Sequence, residues 1–241
     1  MAQISEWSKP CADGSAEMNE SVLNMARISA KAHIPFRCTG CGACCRHVRQ
    51  SVPLESLDVF RLSKHLQDAD TDIQSTDDFL AQYAEPVLLD ECGYMMYMLR
   101  VTGADDACVF LKNSRCTVHQ AKPRACRLYP FAAGPDEKGG WEYLVSQEKS
   151  HHFKGASVHV KTWMKKYLTE EDRAFLRLDY DSVKPIAGLL RRIPEPQLSA
   201  ALMRFLYFKY SAFELDMPFL PQYSRNLKQL QAALTELANE T

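Results

Sequence analysis

The 241-residue chain is 46% apolar, enough to bury a substantial core, and its 29 Lys and Arg nearly balance 30 Asp and Glu for a net charge of −1. That balance supplies no field for steering onto phosphate backbones or anionic lipid, so a nucleic-acid binder and a membrane-surface protein are disfavoured. Glu6, Asp13, Glu17 and Glu20 break up the first thirty residues, so neither a secretory signal nor a membrane span is expected there, and a cytoplasmic location is.

In chain order, residues 1–16 read as a loose polar terminus. Residues 17–33 have helical spacing in Val22, Leu23, Met25, Ala26 and Ile28, ending at Pro35. Phe36 to Arg49 is rich in Gly and Cys and poor in large apolar side chains, which predicts a loop wrapped around something other than a hydrophobic core. A helix start follows at Ser51-Val52-Pro53-Leu54-Glu55, with Leu54, Leu57, Val59, Phe60, Leu62 and Leu66 as its buried stripe. A short helix is expected over Thr76 to Ala84, a hairpin or small sheet over Val87 to Val101 with Gly93 at a turn, and a strand over Trp141 to Ser146.

Beyond Ala156 the spacing predicts helices over Val158 to Leu168, Glu171 to Leu178, Val183 to Arg192, Gln197 to Leu215 and Asn226 to Asn239, the last three separated by prolines. The fold class is therefore α+β and mainly helical, with an irregular cysteine-rich core, a small β element and a C-terminal helical extension. We divide it into an N-terminal tail and helix (1–33), a cysteine-bearing domain (34–155) and a C-terminal helical region packed on it (156–241). The aromatic run Phe205 to Phe213 surrounds most of its helix and is expected to be core; these helices are also where an unidentified protein partner would dock.

Nine cysteines, four of them within Cys38 to Cys45, require a chemical reason. In a reducing compartment clustered thiols serve as metal ligands or redox groups more often than as disulfides. The run Cys38-Thr39-Gly40-Cys41-Gly42-Ala43-Cys44-Cys45 contains C-x2-C-x2-C, a spacing that turns three thiolates of one loop toward one centre and is used on cubane iron–sulfur clusters. Its glycines allow the tight wrap. Cys45 departs from that spacing, and whether Cys44 or Cys45 shares a centre with Cys38 stays open. Cys108, Cys116 and Cys126 are too far apart for one knuckle, so the fold must bring them to the first loop.

Seven candidate metal ligands result: Cys38, Cys41, Cys44, Cys45, Cys108, Cys116 and Cys126. They exceed one four-thiolate centre, so either two centres exist or some thiols stand behind the ligands. C-x2-C-x2-C leans to an iron–sulfur cluster, of the 4Fe–4S type, and the surplus thiols leave room for zinc. Four thiolates on zinc or on an oxidised cubane leave a net charge of about −2, and Arg46, Arg49, Arg124 and Arg127 lie close in sequence as donors to sulfur or as ordinary solvated charges. Cys11 and Cys92 fall outside these groups.

The segment Phe36-Arg37-Cys38-Thr39-Gly40-Cys41-Gly42-Ala43-Cys44-Cys45-Arg46, the Val52-Pro53-Leu54 helix start, Cys108-Val109-Phe110-Leu111, and Cys116 through Pro123 to Cys126-Arg127-Leu128-Tyr129-Pro130-Phe131 resemble the CxxCxxCC, or cysteine-cluster, family of zinc- or iron-chelating domains, in order and spacing across roughly residues 34 to 155. The resemblance implies chelation by these cysteines. A related branch comprises the longer flagellin lysine N-methylases; no glycine-rich loop of an S-adenosylmethionine fold is found here, so the methylase activity is not carried over. Where family members often carry a further cysteine, this chain has Ser150-His151-His152-Phe153-Lys154-Gly155, and it has His119 where Tyr is common. Imidazoles at these places favour zinc or alter a redox potential if they reach the metal.

The leading expectation is a metal-binding protein coordinating an iron–sulfur cluster, zinc or both, in redox transfer or metal handling. Two alternatives stand beside it: a metal-dependent protein-modifying enzyme, and an interaction module that metal only staples. No catalytic residue is assigned.

Overall fold

The computed structural model describes residues 25–69, 71–89, 93–146 and 148–239. Cys11, Cys92 and the first part of the helix expected over 17–33 lie outside them. The remainder of that helix is not formed: Met25–Arg27 is strand β1 and His33–Pro35 is strand β2. β1 pairs antiparallel with β11 (Trp141–Ser146), which also pairs with β10 (Phe131–Pro135), and β2 pairs with β12 (Ser157–His159). The partners lie more than a hundred residues away in sequence, so the ladders that override the local helical spacing leave no mark in a short window.

Pro53–Leu54 forms β3, and helix α1 begins only at Ser56 and runs to Asp68. The expected apolar stripe is buried as predicted, with Leu57, Val59 and Leu62 at 2% exposure or less. Helix α2, Thr76–Tyr83, is capped by the Ser75 hydroxyl, which accepts from the Asp78 N–H at 3.1 Å. The predicted hairpin is β4 (Ala84–Leu88) against β5 (Met95–Leu99), with β3 on the other edge of β5. Two-residue strand pairs follow: β6 (Val101–Thr102) with β7 (Ala107–Cys108), and β8 (Leu111–Lys112) with β9 (Arg115–Cys116).

Helix α3, Arg124–Leu128, is one short turn carrying Cys126. It is followed by β10, β11, a 3-10 turn at Ser150–His152, β12 and helix α4, Val160–Tyr167. The two helices expected over 171–178 and 183–192 are one, α5, Glu170–Leu190, with Pro185 inside it. The polar gap between their apolar stripes has an internal partner: Asp179 is bonded by the buried Lys209 ammonium and the Tyr223 hydroxyl. Helix α6, Glu195–Leu206, passes into a π-helical turn, Tyr207–Ser211, and α7 spans Phe219–Asn239. Phe205 and Tyr210 are buried as expected for the aromatic run, while Tyr207 is 54% exposed.

The result is an α+β fold in which α5, α6 and α7 pack together and α1 and α2 join them through the π-helical turn. Phe60, Phe175, Phe213, Phe219 and Tyr223 stack between α1, α5 and α7 with ring centroids 5.0 to 6.5 Å apart. Among the described residues no helix is long and apolar enough to cross a membrane.

Candidate metal centre

The first cysteine loop is held on one side by backbone bonds and on the other by close packing. The His47 and Val48 N–H groups donate to Asp105 and Asp106 carbonyls at 2.8 and 3.1 Å, placing the loop beside the turn that leads into Cys108 on β7. Arg46 pairs with Asp105, and Arg49 with Asp106 at 2.5 Å. On the other side Gly42, at φ 71°, lies against the β8–β9 hairpin that ends in Cys116; a Cβ there would stand 3.2 Å from Leu111 Cδ1 and 3.3 Å from the Ser114 carbonyl. Only a glycine supplies both that φ and that closeness. The hairpin turns through Asn113 and Ser114, both at positive φ.

Cys126 is fixed from outside. Arg124 sends Nε and Nη2 to the Glu55 carboxylate at 2.7 and 2.6 Å and Nη1 to the Ala133 carbonyl at 2.7 Å, and its N–H donates to the buried Asp58 at 2.8 Å. Burial, then the neighbouring Glu55, pushes the Asp58 carboxyl up to about 7. Arg127 donates to Asp172 at 2.7 Å and to the Tyr167 carbonyl at 3.0 Å. The arginines bracketing Cys126 thus bind carboxylates of α1 and α5 and clamp α3 in place. This corrects the reading of them as donors to sulfur, and Arg46 with Arg49 does the same for the first loop.

The thiols fall into two groups. Cys44, Cys45, Cys108, Cys116 and Cys126 are partly or fully buried and act on one another, and Cys44 is also acted on by His152 and Cys41. Cys44 and Cys45 sulfurs are 3.8 Å apart; this contact holds the Cys44 thiol down at about 6 and pushes Cys45 up. Burial raises Cys126, with Cys108, Cys44 and Cys116 adding to it, and burial likewise raises Cys108 and Cys116. Backbone N–H groups of Phe110 and Leu111 oppose this at Cys108, as the Val118 N–H and the Lys122 charge do at Cys116.

The second group lies at the surface. Cys41 Sγ is 3.2 Å from His152 Nε2 and 3.6 Å from His151 Nε2, and all three donor atoms lie within 4.8 Å of one another. The His152 contact, with Thr39 and His151, brings the Cys41 thiol down to about 5. His152 is 2% exposed and its Nδ1 meets the Tyr129 hydroxyl at 3.1 Å. Phe36 packs edge-on against Tyr129, His152 and Trp163. Exposed Cys38 shares with Arg37, Thr39, His151, Lys154 and Gly155 the wall of a shallow cavity of about 430 Å³. The histidines opposite the expected family cysteine therefore face a candidate ligand, whereas His119 is exposed and outside this group.

Tyr129 and Lys122 had no assigned part in the sequence reading. Both lie within the segments that resemble the family, but nothing local marks a hydroxyl or an ammonium as facing a site. As donors the two groups suit soft or borderline cations: thiolates for iron–sulfur clusters and zinc, mixed thiolate and imidazole for zinc. Residues 37–157, about half of the chain, match the family model CxxCxxCC, described as a putative zinc- or iron-chelating domain. No curated protein and no solved structure matches the chain.

Proposed function

Because the chain belongs to the CxxCxxCC family, we propose that it is a metal protein whose buried thiols Cys44, Cys108, Cys116 and Cys126, with Cys45 beside them, hold an iron–sulfur cluster of the 4Fe–4S kind. One observation supports this reading: Cys44, whose sulfur is 3.8 Å from that of Cys45, acts on Cys108, Cys116 and Cys126, which come from three other segments of the chain. Cys45, Cys108, Cys116 and Cys126 are pushed up and stay protonated when free, so loading a metal group expels protons from those of them that ligate, whereas Cys44 is already held down by Cys45.

The surroundings of the sulfurs also fit such a cluster. The amides of Phe110 and Leu111 act to lower the Cys108 thiol and that of Val118 the Cys116 thiol, the direction in which backbone amides stabilise cluster thiolates. A bound cluster would supply one-electron redox chemistry, and the chain's own contribution is to exclude water and fix the ligands through α3 and the β8–β9 hairpin. A reducing, cytoplasmic setting belongs to the same proposal.

The test is anaerobic purification with iron, acid-labile sulfide and zinc analysis and a visible spectrum. Iron with equivalent sulfide and a broad thiolate-to-iron absorption, lost in Cys126→Ser, is expected. Colourless protein whose buried thiols carry only zinc overturns the cluster.

A further inference from the structure

We propose that Cys38, Cys41, His151 and His152 form a second, mononuclear centre for a divalent cation of the zinc type, separate from the buried thiols. Three of the four donor atoms stand within 4.8 Å of one another. The fourth donor, Cys38, is three residues before Cys41 and lines the same cavity as His151.

The turn between the two cysteines is a knuckle. Gly40 takes φ 66°, and a Cβ on it would meet nothing within 4 Å, so glycine serves the backbone conformation there and not a close approach. The Ala43 amide, two residues on, helps hold the Cys41 thiol down. Cys-x2-Cys with two imidazoles is a donor set that zinc takes in closed tetrahedral sites, and two thiolates cancel its charge.

The surroundings orient these donors as metal ligands are oriented. When His152 Nδ1–H donates to the Tyr129 oxygen, the Nε2 lone pair is left facing Cys41. The Arg37 N–H donates to the His152 carbonyl at 3.0 Å, tying the segment before Cys38 to the histidine turn. The partition also accounts for the surplus of seven thiols: two go to this centre and five to the buried set.

The inference stands apart from the cluster reading, since these donors are not shared with it. Its test is zinc content and a cobalt(II) titration of the full chain, with iron and sulfide measured on the same samples. Tetrahedral cobalt bound to thiolate gives intense visible bands.

One equivalent of zinc is expected in the parent chain, retained in Cys126→Ser and lost in His151→Gln/His152→Gln with iron unchanged. His152 is buried, so the exposed single variants His151→Gln and Cys38→Ser serve where the double variant does not fold. Each should weaken zinc by at least about 100-fold, the upper end of what loss of an orienting group costs. Parent protein without zinc, single variants of unchanged affinity, or iron and zinc lost together in His151→Gln overturns the second centre. An iron-free but zinc-loaded chain would instead sink the cluster and leave this centre standing.

Discussion

Asp172→Asn is the sharpest probe of how the fold holds its cysteines, because it touches no sulfur. The Asp172 carboxylate is 1% exposed, sits at the start of α5, and accepts from Arg61 at 2.5 Å, Arg127 at 2.7 Å and the Thr169 N–H and hydroxyl at 2.7 and 2.8 Å. Removing one partner of a buried ion pair costs about 3–5 kcal/mol, chiefly from the charge left behind. Here Arg61 keeps Glu171 at 2.6 Å and Arg127 keeps the Tyr167 carbonyl, so the lower end, about 3 kcal/mol, is expected. For a chain of this length that is a fall in Tm of about 6–12 °C.

The pH dependence gives a second check on the same variant. Burial pushes the Asp172 carboxyl up, but Arg127 and Arg61 with the Thr169 hydrogen bonds outweigh it and hold the group below the ordinary carboxylate value. A carboxyl lowered on folding contributes fully above its unfolded pKa of about 3.9 and loses that contribution as pH falls through the folded value. Thermal unfolding followed by circular dichroism should show parent and variant far apart at pH 7 and converging in acid. A difference under about 1 kcal/mol at pH 7, or a gap unchanged in acid, refutes the clamp.

Gly42→Ala should cost more than Gly40→Ala. Both pay about 1–2 kcal/mol for a left-handed backbone, but only position 42 has Leu111 and the Ser114 carbonyl within 3.4 Å; equal unfolding midpoints in denaturant would show that the loop does not rest on the hairpin. Phe36→Ala, removing a ring that is 5% exposed among Tyr129, His152, Phe153 and Trp163, should cost about 3–5 kcal/mol. The same change should lower zinc retention relative to iron, since it frees the histidine turn and leaves α3 clamped; loss of iron first would contradict that order.

Much of the helical architecture was legible locally. Stripes such as Leu57, Val59, Phe60 and Leu62 repeat at helical spacing and are buried on one side, and Trp141–Ser146 is a strand where alternation placed one. The misreadings share a cause. Met25, Ala26 and Ile28, in the helix expected over 17–33, are spaced like a helix, yet Met25–Arg27 pairs with β11 and His33–Pro35 with β12; residues 179–182 interrupt a stripe because Asp179 bonds Lys209 and Tyr223 inside the fold. Long-range ladders and internal polar partners have no short-range signature.

The same division holds at the metal centre. Cysteine spacing alone led to the expectation that metal chemistry belongs to Cys38–Cys45 and that Cys108, Cys116 and Cys126 return to it, because thiolates that share a centre must converge. Tertiary structure alone decided which sulfurs face one another, that His151 and His152 stand beside Cys41, and that Arg124 and Arg127 grip Glu55 and Asp172. A side chain's nearest charge is set by which elements pack against it, and sequence distance does not measure that.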